Sequence, residues 1–517
     1  MLKLNDPDLF RQQVYLAGEW VDADSGATVA VTNPASGATL GTVPMCGAAE
    51  TARAIAAADQ AQRSWRDVSA KERAATLRRL NDLMLANTDD LALIMTSEQG
   101  KPLAEAKGEI AYAASFIEWF ADEARRVYGD TIPATSGDKR IVAIKQPIGT
   151  TAAITPWNFP TAMLTRKAGP ALAAGCSMVV KPATQTPFSA LAFAVLAERA
   201  GVPKGLFAVL TGAASQIGGE MTRNPLVRKL SFTGSTEVGR TLMRQSADTI
   251  KKLSLELGGN APFIVFDDAD LDAAVEGAMI SKYRNTGQTC VCANRLYVQR
   301  GVLQAFTDKL VAKVKALKVG DGTEPGVNQG PLIDAKAVAK IEEHIADARA
   351  KGAEVLTGGK RHARGGLFFE PTVVGGATAD MLFAKEETFG PLAPIFAFDT
   401  EAQAIAQAND TEFGLAAYFY SRDIGRVMRV AEQLESGIVG INTGLISTAE
   451  APFGGVKQSG LGREGSKYGL DDYLEIKYLC FGGIDAPGAR SALPLEGAPP
   501  SARQGRIAAS ARQETSR

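Results

Sequence analysis

A thiol and a carboxylate, each in a stretch that contains glycine, are the groups in this chain best suited to carbonyl chemistry. Cys290 lies in the run RNTGQTCVC at residues 284–292, and Glu256 is followed by Leu257 and two glycines. A cysteine attacks an electrophilic carbon as its thiolate, and a separate carboxylate can act as general acid or base. The glycines let backbone approach a bound molecule closely. The combination predicts acyl chemistry at an aldehyde carbon.

Three further stretches supply groups that an oxyanion or a nucleotide needs. Asn158 lies between two prolines and two aromatic residues, so it is predicted to be a fixed amide donor; alternatively, it caps its own backbone in a packed turn. Gly234 and Ser235 open a predicted helix and offer N–H groups to a pyrophosphate, or form a simple N-cap turn. Lys181 ends a buried strand, where it contacts a ribose or phosphate or reaches the surface.

Composition excludes several other classes of protein. The formal net charge of -1 gives no electrostatic reason to expect nucleic acid or an anionic membrane as a partner. The only histidines, His344 and His362, supply neither a Cys–His hydrolase nor a metal site, so no metal is predicted. The odd, scattered set of five cysteines favours a reducing compartment. No signal peptide or membrane span is apparent, so we expect a cytoplasmic protein.

The 517 residues must form two or three domains that bring these stretches together. Helices are predicted at residues 48–65, from a capping box at residues 69–72, and at residues 103–127. Strands and helices then alternate, which predicts an α/β fold with parallel, doubly wound sheets. In such sheets ligands bind beyond the carboxyl ends of the strands, where glycine-rich turns begin helices.

Together these stretches resemble the aldehyde dehydrogenase superfamily over about residues 10–483. Residues 285–295 and 452–465 are most similar to its succinate-semialdehyde dehydrogenase group. The resemblance implies two Rossmann-like domains, the dinucleotide-binding domain at 1–126 and 149–266 and the catalytic domain at 267–452. It also implies a small β oligomerisation arm at 127–148 and 473–483, and a homodimer or homotetramer. Residues 484–517, rich in Ala, Pro, Ser and Arg, are predicted to be a disordered extension.

The resemblance assigns roles residue by residue. Cys290 is implied to be the nucleophile, Glu256 the general base and Asn158 an oxyanion donor. Hydride transfer to the nicotinamide would leave a thioester that Glu256 hydrolyses. The implied cofactor contacts are Thr155, Pro156, Trp157, Lys181, Pro182, Ala183, Thr184, Gly234, Ser235, Leu257, Glu387 and Phe389. The alternative for Glu387 is a solvated surface carboxylate.

Substrate and cofactor preferences also come from the resemblance. Arg166, Arg284 and Ser447 match positions that bind the distal carboxylate of succinate semialdehyde; alternatively, the arginines pair with local acids. Neutral Thr184 stands where many NAD-using relatives carry Glu, so NADP is predicted to be preferred over NAD. Cys292 is predicted either to be a redox partner of Cys290 or to be a small buried residue.

Two classes of function remain open beside succinate-semialdehyde oxidation. One is a dehydrogenase for glutarate semialdehyde or for aliphatic aldehydes in general. The other is a catalytically inactive relative that serves as a structural or binding protein. The presence of both the thiol of Cys290 and the carboxylate of Glu256 favours an enzyme.

Overall fold

The computed structural model describes residues 2–484, so most of the predicted extension at 484–517 lies outside the described residues. Its helices are α1 (Ala48–Trp65), α2 (Ala70–Ala86), α3 (Thr88–Gln99), α4 (Leu103–Glu123), α5 (Pro160–Ala174), α6 (Pro187–Arg199), α7 (Ala214–Arg223), α8 (Thr236–Ser246), α9 (Leu271–Tyr283), α10 (Leu303–Lys315), α11 (Ala335–Ala350), α12 (Leu382–Lys385), α13 (Glu401–Asn409), α14 (Ile424–Gln433) and α15 (Tyr468–Asp471). Within this described part, none of the helices combines the length and apolar character of a membrane span.

The strands are β1 (Val14–Leu16), β2 (Glu19–Val21), β3 (Thr28–Thr32), β4 (Thr39–Pro44), β5 (Asp130–Ile132), β6 (Lys139–Pro147), β7 (Thr150–Ile154), β8 (Ser177–Lys181), β9 (Phe207–Val209), β10 (Val227–Thr233), β11 (Lys252–Glu256), β12 (Ala261–Val265), β13 (Ala293–Gln299), β14 (Glu354–Thr357), β15 (Thr372–Gly375), β16 (Leu392–Phe398), β17 (Ala416–Tyr420), β18 (Ile438–Ile441), β19 (Gly460–Leu461) and β20 (Leu474–Gly482).

Two large sheets carry the functional stretches. The first has the order β19-β11-β10-β7-β8-β9-β1-β2, and the second has the order β14-β15-β16-β13-β12-β17-β18. The central strands of both sheets are parallel, as predicted, whereas β19, β1, β2 and β14 pair antiparallel at the edges. Strands such as β8 and β12 are buried along their whole length because helices cover both faces.

The chain divides into two compact units. Among the described residues, the smaller unit contains Gly129–Ile144 and the segment that begins at Lys477, and the larger unit contains both large sheets. A three-stranded sheet runs in the order β20-β6-β5, with β5 and β6 antiparallel. Its strands lie in the segments for which the sequence predicts an oligomerisation arm.

The helical part before residue 130 differs from the prediction in one element. The Ser69 capping box begins α2 as expected, but α3 was not predicted, and α4 ends at Glu123 rather than at residue 127. Asn87 both ends α2 and begins α3, so no glycine or proline marks the boundary. Because α3 is buried on nearly every side, it also lacks the polar face that gives a helical period.

Candidate active site

A cavity of about 220 Å³ brings together nine of the predicted site residues. Its lining comprises Pro156, Trp157, Asn158, Met163, Thr233, Gly234, Ser235, Leu257, Gly258, Cys290, Glu387 and Phe389. Met163, Thr233 and Gly258 were not predicted. Strands β7, β10 and β11 end here in register, with Ile154 beside Phe232 and Thr233 beside Glu256. The carboxyl ends of parallel strands therefore assemble the site, as the topology requires.

The loop that carries Cys290 has an unusual backbone. Between α9 and the thiol, Asn285 and Thr286 adopt left-handed conformations with φ of 51° and 55°. Such values are costly for residues other than glycine and are most often retained at functional sites. Gly287 is required at its position because a Cβ atom there would lie 2.2 Å from the carbonyl oxygen of Gly390. The loop is thus shaped to present the sulfur to the cavity.

The surroundings of Cys290 favour its protonated thiol over the thiolate. Burial raises its pKa to about 12, and the charges of Glu387 and Glu256 act in the same direction. The guanidinium groups of Arg166 and Arg284 lower it. The two guanidinium groups therefore oppose the effect of burial and favour the thiolate, which is the nucleophilic form.

Asn158 lies at the start of α5 and directs its amide toward the Cys290 loop. Its Nδ2 atom donates to the carbonyl oxygen of Gln288 at 3.1 Å, so it does not cap its own backbone. The side chain is 5% exposed and lines the cavity together with Cys290. The second Nδ2 hydrogen is available to an oxygen formed at a carbon bonded to the sulfur.

Glu256 ends β11 in a buried cluster of charges. Neither of its carboxylate oxygens has a hydrogen-bond partner among the described residues. Burial and neighbouring Glu464 raise its pKa well above the ordinary value, although Arg166, Lys167 and Arg463 oppose this shift. A carboxyl group with a raised pKa and no hydrogen-bond partner is poised to exchange a proton.

The residues on the other side of the cavity fit a nicotinamide dinucleotide. Glu387 accepts a hydrogen bond from the backbone nitrogen of Gly259 at 3.0 Å, so it is not a solvated surface carboxylate. A Cβ atom on Gly258 would lie 3.1 Å from the Glu387 carboxylate, so glycine preserves the space there. Ser235 caps the helix α8, whose first backbone N–H groups can bind a pyrophosphate.

The residues predicted to contact the adenosine part of the cofactor lie at the end of β8, outside the cavity lining. The nitrogen of Thr155 donates to the carbonyl oxygen of Lys181, which joins β7 and β8 at this point. Lys181 is buried rather than at the surface, and its Nζ contacts the carbonyl oxygen of Pro182 at 3.0 Å. Burial lowers its pKa to about 8. Ala183 is half-buried, and Thr184 is exposed.

The residues predicted to bind a carboxylate gather around Tyr112 on α4. Arg166 donates to the Tyr112 hydroxyl at 3.1 Å and lies over the ring of Phe453 at 3.7 Å. Burial raises the pKa of Tyr112, whereas Arg166, Arg284 and the Ser447 side chain lower it. Two arginines and two hydroxyl groups therefore lie close together near Cys290.

The two arginines differ in their existing partners. Arg166 Nη1 is 3.9 Å from Glu464, so the alternative of a local acid holds in part for this residue. Across residues 2–484, Arg284 makes no salt bridge, and its guanidinium lies 5.2 Å from the ring centre of Phe159. Arg284 is therefore the cation more available to a ligand.

A sequence profile described as aldehyde dehydrogenase family matches residues 20–479. The chain belongs to the aldehyde dehydrogenase family. It is 71% identical over 483 residues to a glutarate-semialdehyde dehydrogenase of Pseudomonas aeruginosa, covering 93% of this chain and 100% of the relative. It is 68% identical over 481 residues to an NADP(+) succinate-semialdehyde dehydrogenase of Escherichia coli K12, with 93% and 100% covered.

A solved structure of succinate-semialdehyde dehydrogenase from Burkholderia pseudomallei gives a TM-score of 0.92 at 70% identity, covering 93% of this chain and 99% of that chain. The predicted family, fold and enzyme class are thereby confirmed. As an aldehyde dehydrogenase, the protein oxidises a small aldehyde with a nicotinamide cofactor, NAD(P).

The second cysteine of the aldehyde dehydrogenase loop lies away from the cavity. Cys292 is buried, and its sulfur is 3.4 Å from the carbonyl oxygen of Lys282. All five cysteines are free thiols, and Cys290 and Cys292 are not joined. Its predicted role as a redox partner stays a prediction.

Several residues of this active site were not predicted from the sequence. Beside the cavity-lining residues named above, they include Tyr112, Lys167 and Glu464, together with the buried pair formed by Lys101 and Glu109. Lys167 forms a buried ion pair with Glu464. The adjacency of Lys167 to Arg166 on α5 was a signal for this pair, since two consecutive cations on a buried helix need nearby acids. No comparable signal in the sequence pointed to Tyr112.

Proposed function

We propose that the protein oxidises succinate semialdehyde to succinate, with NADP preferred over NAD. The observation that carries the proposal is the cluster of Arg166, Arg284, Tyr112 and Ser447 near the Cys290 thiol. An aldehyde carbon at the sulfur and a carboxylate at this cluster describe a short acid semialdehyde. The semialdehyde names of the relatives from Pseudomonas aeruginosa and Escherichia coli support the same substrate class.

In the proposed mechanism, the residues of the chain perform the acyl steps. The Cys290 thiolate adds to the aldehyde carbon, and the oxyanion is bound by Asn158 Nδ2 and the Cys290 backbone N–H. Each such donor contributes roughly 3–4 kcal/mol to transition-state stabilisation. A nicotinamide held by the cavity residues Glu387 and Phe389 would supply the acceptor for the hydride that leaves the same carbon. Deprotonated Glu256 then takes a proton from the water that attacks the thioester, and the acid is released.

The carboxylate end of the substrate meets a site suited to its charge and shape. A guanidinium binds a carboxylate through two parallel hydrogen bonds, and its charge does not titrate in the physiological range. Arg166 is oriented by Tyr112 and Phe453, so little side-chain entropy is lost on binding. A charged hydrogen bond contributes about 1.5–3 kcal/mol. The two arginines should therefore favour an acid semialdehyde over a neutral aldehyde of equal length.

Glutarate semialdehyde is the second candidate substrate, because the relative at 71% identity carries that name. Glutarate semialdehyde is longer by one methylene group, and an enzyme distinguishes two substrates that differ in this way by only about 1–3 kcal/mol. Activity with both semialdehydes is consistent with the proposed site.

The test compares catalytic efficiency for succinate semialdehyde, glutarate semialdehyde and butanal. We expect both acid semialdehydes to exceed butanal by about a hundredfold or more, since each arginine contributes about tenfold to a hundredfold. Arg284→Met should remove most of this preference while leaving kcat/KM for butanal within about threefold. Equal efficiencies for all three aldehydes in the wild type would refute the carboxylate pocket. No activity with any of them would support the inactive-relative alternative.

The proposed preference for NADP rests on Thr184 and Lys181. A neutral, exposed Thr184 does not repel a 2′-phosphate, whereas a carboxylate there would repel it and bind the ribose hydroxyls instead. Thr184→Glu should therefore lower kcat/KM for NADP about tenfold or more and leave NAD nearly unaffected. A wild-type enzyme that favours NAD would contradict this part of the proposal.

We also propose a homodimer or homotetramer in the cytoplasm. The small β-sheet exposes large apolar side chains, among them Ile132, Tyr478 and Phe481 at 43%, 62% and 50% exposure. Exposed apolar groups of this kind are typical of an interface between subunits. Light scattering should give a mass at least twice that of one chain, and Tyr478→Asp with Phe481→Asp should reduce it. Five free cysteines suit a reducing compartment.

A further inference from the structure

A buried ion pair lies directly behind the proposed oxyanion donor. Lys101 and Glu109 are 2% and 3% exposed, and their side chains contact each other. The Lys101 Nζ atom also donates to the backbone carbonyl oxygen of Asn158 at 2.7 Å. The same ammonium lies 4.0 Å from the ring centre of Phe159, the next residue along the chain. The cation is thus held against the residue whose side chain faces Cys290.

The carboxylate of Glu109 binds the backbone a few residues further along the chain. Glu109 Oε1 accepts hydrogen bonds from the backbone nitrogens of Thr161 and Ala162, at 3.1 and 3.2 Å. These nitrogens lie in the first turn of α5, where helical N–H groups have no partner within the helix. Lys101 and Glu109 together therefore fix the backbone that follows the Asn158 side chain, from its own carbonyl group to the first turn of α5.

A second set of hydrogen bonds, through Gln99 and Asn285, joins Lys101 to the loop that carries Cys290. Lys101 donates its backbone N–H to Gln99 Oε1 at 2.8 Å, and Gln99 Nε2 donates to Asn285 Oδ1 at 3.0 Å. Asn285 Nδ2 in turn donates to the carbonyl oxygens of Asn158 and Gln288, at 3.0 and 3.1 Å. The carbonyl oxygen of Asn158 consequently accepts two hydrogen bonds, one from Lys101 Nζ and one from Asn285 Nδ2.

We propose that Lys101 and Glu109 are positioning residues that hold the Asn158 amide in place for the oxyanion. The inference rests on the proposed function, in which Asn158 stabilises that oxyanion. An oxyanion donor acts only when it is preorganised, and a displacement of about 1 Å at a reacting group costs roughly a hundredfold in rate. A fully buried ion pair is not needed for stability alone, because apolar residues of similar volume commonly serve as well.

The experiment is a double-mutant cycle with the full-length enzyme. Lys101→Met combined with Glu109→Gln removes the ammonium without leaving an unpaired buried charge, and the glutamine oxygen can still accept from α5. We expect kcat to fall about tenfold to a hundredfold. In an Asn158→Ala background the same pair of substitutions should change kcat by less than about threefold, because the positioned donor is already absent.

Two controls separate positioning from a general loss of structure. Lys251 is a buried lysine that likewise donates to backbone carbonyls, those of Met221, Asn224 and Val227, at the end of β11 opposite Glu256. Lys251→Met should lower the thermal midpoint without lowering kcat more than about threefold. In the Lys101→Met/Glu109→Gln variant, alkylation of Cys290 by iodoacetamide should proceed at the wild-type rate, because that reaction needs no oxyanion donor.

The outcomes distinguish the inference from the proposed function. An unchanged kcat in Lys101→Met/Glu109→Gln, or an equal fall in the presence and absence of Asn158, would overturn the positioning role. Full activity of Asn158→Ala would instead overturn the role of Asn158 itself. If the paired variant does not fold, Gln99→Leu tests the second set of hydrogen bonds by a neutral substitution. It should lower kcat severalfold in the wild type and not in Asn158→Ala, and additive effects would reject the inference.

Discussion

Two buried lysine–glutamate pairs flank the thiol, and they differ in how completely their hydrogen-bonding groups are satisfied. In one pair Lys101 contacts Glu109, whose other oxygen accepts two backbone N–H groups at the start of α5. In the other pair Lys167 contacts Glu464 and donates to the Thr233 hydroxyl at 2.7 Å. Both lysines are almost wholly buried.

The carboxylate of the second pair lacks hydrogen bonds that the carboxylate of the first pair has. Glu464 Oε2 has no hydrogen-bond partner within residues 2–484, and neither has either oxygen of neighbouring Glu256. An ionised carboxylate without partners is costly in a buried site, and burial accordingly raises the pKa of Glu256. The difference indicates a division of labour. In the proposed roles, Lys101 and Glu109 hold the backbone in place, and Glu256 exchanges protons.

We expect the largest effect on catalysis from a substitution of Glu256. Glu256→Gln should lower kcat by about 10²- to 10⁴-fold, because water then attacks the thioester without a general base. Formation of the thioester should persist, so a burst of reduced cofactor equal to the enzyme concentration should precede the slow steady state. Stopped-flow absorbance at 340 nm measures both phases.

Cys290→Ala is the matched control, since it should abolish both the burst and the steady state. Steady-state turnover of Glu256→Gln within tenfold of the wild type would show that Glu256 is not the base. The two buried pairs would then no longer be distinguished by proton transfer.

The contrast also predicts different losses of stability. Lys101→Met leaves the buried carboxylate of Glu109 without a cation and should lower the free energy of unfolding by about 3–5 kcal/mol. Lys167→Met should cost less, because Arg166 remains 3.9 Å from Glu464. Thermal midpoints of the two variants, measured at equal protein concentration, show which substitution destabilises the protein more. A larger loss for Lys167→Met than for Lys101→Met would contradict the prediction.

The chemical stretches were predictable because each lies at the end of a strand or the start of a helix. Cys290, Glu256 and Gly234 stand beside glycines or helix caps that single sequences reveal, and parallel strands bring such ends together. The edge strands β14 and β19 were not predicted, because they are short and carry no distinctive period.

The supporting pairs were not predictable from the sequence. Lys167 and Glu464 are 297 positions apart, and Gln99 and Asn285 are 186 apart. Neither spacing follows from a helical or strand period, so only the tertiary structure reveals these contacts. Helix α3, which delivers Gln99 and precedes Lys101, was missed because it is buried on nearly all sides and therefore has no hydrophobic period.

A pH profile should sharpen the contrast. Burial and Glu464 raise the pKa of Glu256, so the step that uses its deprotonated form should become faster with rising pH through a midpoint above the ordinary value. Lys167 lowers that pKa, and Lys167→Met should therefore move the midpoint upward by roughly one pH unit. The rate of thioester hydrolysis, measured as the steady state after the burst, gives the midpoint.

The satisfied pair supplies the control for this profile. Lys101→Met/Glu109→Gln should lower the rate at every pH without moving the midpoint, because neither residue is among the main charges acting on Glu256. A midpoint that shifts downward in Lys167→Met would contradict the assigned sign.

The smallest effect concerns the thiol itself. Burial raises the pKa of Cys290 to about 12, so alkylation by iodoacetamide in the absence of cofactor should become about tenfold faster per pH unit between pH 7 and 10, without a plateau. The exposed Cys480, followed in the same samples by peptide mass spectrometry, is an internal reference. Glu256 contributes to the raised pKa, so Glu256→Gln should accelerate alkylation severalfold, but only at the higher pH values where Glu256 is ionised. Lys101→Met/Glu109→Gln should leave the curve unchanged. A plateau near neutral pH would instead mean that the thiolate already exists without the cofactor, and the cluster around Glu256 would then not control the charge of the nucleophile.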